Sequence, residues 1–244
     1  MSLPLIALII AAGFAAIHLF AGRLRFLETT PRSAYLSAAG GIAVAYVFLH
    51  LLPELFEHRA TFVEHLRLAE DNAETLLFSL ALTGLVIFYG VERAILAHGP
   101  ERIETIEEPE PSAMFWFHIA AFGIYNFLIG YLLSERAEEA SRELVLYAIA
   151  MGVHFVTNDH GLRMHHQCLY DRYARWVLAA AVLAGTVVGA ILPVGPEALA
   201  MLFALLGGGV ILNVLKEELP AERESRFWPF ALATLAYALL LAAL

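Results

Sequence analysis

The chain has 244 residues, of which 60% are apolar and 16% charged, and its mean hydropathy is +0.69. A soluble domain carries about a quarter charged residues, so this composition excludes an ordinary water-soluble enzyme. The formal net charge of −9 excludes a nucleic-acid binder by bulk electrostatics, and the one cysteine, Cys168, excludes an internal disulfide and a CxxC zinc site.

A helix needs about 20 apolar residues to cross the hydrocarbon core. In chain order, eight runs meet that length: roughly 3–22, 34–55, 75–97, 113–133, 142–162, 173–193, 196–215 and 227–244. They consume most of the chain and predict an all-α integral membrane protein, a single transmembrane domain over 1–244. No basic residue precedes the first run and no clear cleavage site follows it, so it reads as a retained span rather than a signal peptide. Long apolar runs with short polar links also argue against an outer-membrane barrel.

The basic residues predict orientation. Arg23, Arg25, Arg32, Arg93, Arg102, Arg163, Arg172, Arg175, Lys216, Arg223 and Arg226 fall in alternate links, which are expected to be cytoplasmic. Arg59, Arg67, Arg136 and Arg142 fall in the others. Both termini are then expected outside, in the inner (plasma) membrane of the cell. The main link, HGPERIETIEEPEPS at 98–112, reads as an acidic, solvated cytoplasmic strip.

GGIAVAYVFLHLLPE from Gly40 and GGGVILNVLKEELPA from Gly207 align with an offset of 167. Both start Gly-Gly and both reach Leu-Pro at the same distance, at Leu52-Pro53 and Leu219-Pro220. By the charge count they run in opposite directions. Inverted repeats point to transporters with a site near the midplane.

Ionisable groups inside a span are costly, so each is a functional candidate. The densest run is YAIAMGVHFVTNDHGLRMHH in the fifth span. His154 and Asn158 are four apart and share a face, which His165 continues; Asp159 flanks it, and His166 follows at the cytoplasmic exit. The fourth span adds Tyr125 and Asn126, the second His50 and Glu54, the seventh Asn213 and Glu217. Imidazole suits zinc, copper, iron and nickel, and carboxylate suits harder ions. His154, Asp159, Asn158 and Asn126 are the candidate metal ligands. His50, Glu54, Glu217, His165 and His166 are candidate pathway or accessory groups. His18, alone on an apolar helix, reads as a packing residue, and His118 as structural. His58 and His65 read as loop residues, and Cys168 as an inert cytoplasmic thiol.

FLHLLPELFEH, Phe48 to His58, resembles the second span of the ZIP (Zrt/Irt-like) divalent-metal transporters. FYGVER at Phe88 to Arg93 is similar to that family's third span, and the Glu-Leu-Pro after Glu217 to its seventh. The resemblance implies eight spans in a three-two-three bundle with inverted repeats and both termini outside. It also implies alternating access, with a divalent ion, zinc first, as the transported substrate. Two transport-site motifs depart from the family pattern. YNFLIG stands where the family has HNFxDG, so Tyr125 replaces His and Ile129 an acid. HFVTND stands where it has HExPHE, so Phe155 replaces an acid, Thr157 the Pro and Asn158 a ligand. A divalent ion in a low-dielectric bundle needs ligand charge to replace its hydration, and two carboxylates are missing here.

The expected function is therefore ZIP-like metal transport, not an enzyme activity. No GxxxxGK[ST] motif occurs, so no nucleotide is expected and the driving force is a gradient. The expected partners are lipid and the cation, not nucleic acid, and Gly207–Gly209 leave room for a homodimer. The alternatives are a ZIP-fold protein that has lost transport, as a sensor or assembly partner, and an intramembrane metal-dependent hydrolase. The hydrolase has neither HExxH nor GxSxG behind it. A haem protein would need a facing pair such as His118 and His154.

Overall fold

The computed structural model describes residues 3–23, 34–98, 110–136, 141–218 and 226–242, and these are helical apart from short links and ends. A helix stands at each of the eight sequence-predicted positions. They are α1 (Leu3–Phe20), α2 (Ala34–Tyr46) continued through α3 (Leu52–Leu66), α4 (Glu70–His98), α5 (Ala113–Arg136), α6 (Ser141–Leu169), α7 (Arg175–Ile191), α8 (Pro196–Glu218) and α9 (Phe227–Ala242). Six helical stretches are long and apolar enough to cross a membrane, which makes the chain a multi-pass membrane protein. Large apolar side chains such as Ile9, Leu82, Ile87, Ile124, Ile191 and Leu239 are exposed on its outside, as lipid contact requires.

Two predicted boundaries are corrected. The second span does not stop near residue 55 but runs to Leu66, so His58 and His65 lie in a helix, not a loop. The reason is its mixed character: α3 is polar on one face and buries Leu55 and Phe62 on another, which an apolar-run count does not register. The sixth span has no loop ahead of it: Tyr170–Ala174 form a π-helical turn directly after α6, and Arg172 and Arg175 are helical. A second π-helical turn, Val47–Leu51, joins α2 to α3. Pro53 has no N–H to give to the preceding turn, and the chain adapts by a wider i→i−5 bond from Leu52 N–H to the Val47 carbonyl. Most of the acidic strip, 99–109, lies outside the described residues, as does Leu219-Pro220 of the second repeat.

Glycines set the helix pairing. A Cβ on Gly41 of α2 would strike the Phe230 carbonyl of α9, and one on Gly208 of α8 would strike the Ala81 carbonyl of α4. Gly84 of α4 likewise sits on Leu205 of α8, while Gly130 of α5 sits on Val182 and Gly185 of α7 on Phe127. Small residues let backbones approach this closely without a hydrophobic drive between helices. The outlying contacts rise together along both chains: Ser37 with Arg226 and then Gly41 with Phe230, Gly84 with Leu205 and then Glu92 with Lys216, Gly123 with Val177 and then Ser134 with Gly189, so α2 with α9, α4 with α8, and α5 with α7 are three parallel pairs. α6 runs the other way: Tyr125 meets His154, and His118, earlier in α5, meets the later His166. The chain therefore reverses between α6 and α7, where the Tyr170–Ala174 turn lies. α6 packs on α1, α2 and α8 and carries the polar groups of the interior. That polar load leaves it less apolar than the six stretches above.

Candidate functional site

The interior polar groups fall into four neighbourhoods along α6. In the middle, His154 is 2% exposed. Its Nε2 meets the Tyr125 hydroxyl at 2.8 Å and the Asn158 Nδ2 at 3.2 Å. The i, i+4 spacing of His154 and Asn158 places both on the α5-facing side, as the sequence predicts. With Asn158 donating, Nε2 carries the lone pair, the electron pair a metal would take. Asn213 of α8 lies beside Tyr125. Asn126 spends its Nδ2 on the Phe122 carbonyl at 2.8 Å, while its Oδ1 is buried with no hydrogen-bond partner among the described residues. The Asn213 Nδ2 is in the same condition. The middle of the bundle thus gathers neutral nitrogen and oxygen donors from α5, α6 and α8.

Asp159 does not join them. It is five positions past His154, roughly 140° further round the helix, and it faces α1. There the fully buried His18 gives its Nδ1 to both carboxylate oxygens, at 3.0 and 2.8 Å. The Tyr170 hydroxyl bonds the His18 carbonyl at 3.3 Å. Phe155 lies between the two groups, its ring 4.7 Å from His18 and 6.1 Å from His154. His18 is therefore not a lone packing histidine, and this corrects the sequence reading. The two residues lie 141 positions apart, so no local pattern connects them. The available signal was that each is an ionisable group in an apolar run and needs a partner.

Near the start of α5, His118 Nδ1 and His166 Nε2 are 2.8 Å apart. One ring must donate and the other accept, so the neutral pair holds a single shared proton. His166 turns inward and His165 is exposed; the partner of His118 is His166, not His154. At the other end, His50 and Glu54 are 3.6 Å apart as their i, i+4 spacing predicts, and Glu54 also ion-pairs with Arg136. Arg136 is 5% exposed, where the charge count had placed it in a link. The side chain of Glu217 lies outside the described residues.

Among the described residues, no three His, Cys, Asp or Glu side chains converge on a point that would hold a metal. The two positions where acids are missing, Ile129 and Phe155, are fully buried apolar residues. No family model matches the sequence, and no curated protein matches it.

Proposed function

We propose that the protein is a ZIP-like transporter that carries a metal cation, zinc or a similar divalent ion, across the inner membrane by alternating access. The observation that carries this reading is the set of buried donors around His154. Tyr125 and Asn158 meet one imidazole nitrogen inside a multi-pass helical bundle, and the buried Asn126 and Asn213 lie next to Tyr125, one in sequence and one from α8. Polar groups are expensive there, and a column of them marks an ion path.

The helix pairing supports the inverted repeat behind it. Gly41 and Gly208 occupy the same register in the two repeats, 167 apart. One sits on α9 and the other on α4. A repeat that relates the second span to the seventh and the third to the eighth requires that exchange. The parallel pairs also agree with eight alternating crossings: α5 and α7 can only run parallel if α6 crosses back between them. α6 is the polar fifth span in this reading, with its polar groups turned to its neighbours and Val145 and Ile149 facing outward.

His154 would bind the ion through Nε2 after Tyr125 and Asn158 release it. Asparagine and tyrosine oxygens would complete a neutral site. Asp159 would contribute its charge only by leaving His18. This predicts modest affinity, since no formal charge faces the ion. A second reading, a ZIP-like protein without transport, is favoured by the absence of a three-ligand cluster among the described residues.

Equilibrium metal binding on purified protein separates the two, with zinc, iron, manganese, cobalt, nickel and copper ions tested on wild type and on His154→Ala. Transport predicts saturable binding that His154→Ala removes. Folded, monodisperse protein that binds no ion would reject it in favour of the second reading.

A further inference from the structure

Arg136 has no role in the site above, yet its position is unusual. It is the last residue of α5 and only 5% exposed. Its guanidinium donates to Glu54 Oε1 of α3, stacks over Tyr147 of α6 at 4.7 Å and over Phe203 of α8 at 5.4 Å. One side chain thereby ties four helices, three of which supply the donors around His154. Glu54 divides its carboxylate: Oε1 takes Arg136, and Oε2 faces His50 Nε2 at 3.6 Å. The His50 and Glu54 side chains keep 23% and 21% of their surface. Behind them Tyr46, Tyr147 and Phe203 are all buried, with the Tyr46 ring against both His50 and Tyr147. The facing His50 Nε2 and Glu54 Oε2 are themselves buried beneath the exposed parts of their side chains, and Arg136 lies directly behind them. From there Asn126 is ten positions back along α5, about 15 Å at the helical rise.

We propose that Glu54 and His50 form a binding site for a divalent cation at this mouth, and that Arg136 is a built-in competitor that closes it. This rests on the transport reading. A carboxylate beside an imidazole is a donor set for a zinc-like ion. A guanidinium on the same carboxylate holds its charge and repels an approaching cation. The cation enters by taking Glu54 from Arg136; the freed guanidinium then no longer bridges α3 to α5, α6 and α8. The mouth opens only as the ion occupies it.

The test uses a thiol reporter at the buried Ile129, between Arg136 and Asn126. The full chain carries Cys168→Ser and Ile129→Cys and is purified in detergent. A small charged thiol reagent probes it with Arg136 and Glu54 native, with Arg136→Gln, with Glu54→Gln, with both, and with the swap Glu54→Arg plus Arg136→Glu. Each single change is expected to raise the labelling rate at least about fivefold by shifting the mouth toward open. The double change adds nothing further, and the swap restores slow labelling. Zinc binding is the second readout: Arg136→Gln tightens it and adding Glu54→Gln abolishes the gain. Single changes that leave labelling slow in monodisperse protein, or effects that simply add in the double, make the pair a static structural bridge and overturn the proposal. Coupled labelling without zinc binding by any variant overturns the cation site, and with it the transport reading. Zinc flux in the parent protein with indifferent labelling overturns the competitor alone.

Discussion

His154 and Asn158 were legible in the sequence because a helix puts i and i+4 on one face, and that rule needs no knowledge of the fold. The His18–Asp159 pair was not, because α1 and α6 meet only in the folded bundle. Arg136 was misplaced for a related reason: at the end of an apolar run a charge looks interfacial, and only the packing of Glu54, Tyr147 and Phe203 draws it inside. The His18–Asp159 pair yields a stability prediction. His18→Ala leaves a buried carboxylate without its partner and is expected to cost about 3–5 kcal/mol, whereas an apolar replacement of both residues costs much less. Thermal unfolding of detergent-solubilised His18→Ala beside His18→Leu plus Asp159→Leu checks this. A single variant as stable as wild type would mean that the pair is not closed in the membrane protein.

At the scale of the helix, run length and hydropathy reveal that eight helices exist, since a span needs about 20 apolar residues. They do not reveal how a helix is interrupted or where an amphipathic one ends. The π-helical turn at Val47–Leu51 follows from the missing N–H of Pro53, and its exact position depends on how the neighbours pack. α3 outlasts its apolar run because its buried face needs only part of its circumference. The glycines give the sharpest element-level prediction. Gly208→Ala drives a methyl into the Ala81 carbonyl and is expected to cost about 1–3 kcal/mol. Gly90→Ala meets nothing within 4 Å and is expected to be neutral or slightly stabilising. Melting temperatures of the two variants, compared with wild type, read this directly; equal melting would dissolve the α4–α8 seam.

For the whole molecule, the three parallel pairs and the reversed α6 make a statement about topology that the charge count alone could only suggest. In the proposed arrangement α6 and α9 cross as well as the six apolar stretches, and eight spans put both termini on one face. Epitope tags at the two ends, probed in sealed vesicles, are expected to be protected or exposed together, and opposite behaviour would remove one crossing. The function proposed for this bundle turns on the neutral donors around His154. The most direct measurement is zinc flux into proteoliposomes loaded with a metal-sensing dye, with wild type beside His154→Ala and protein-free vesicles. The account predicts saturable, gradient-driven uptake by wild type that falls to the protein-free background in His154→Ala. Uptake equal in wild type and His154→Ala, or no uptake by correctly inserted wild type with any of the six metals, would contradict it.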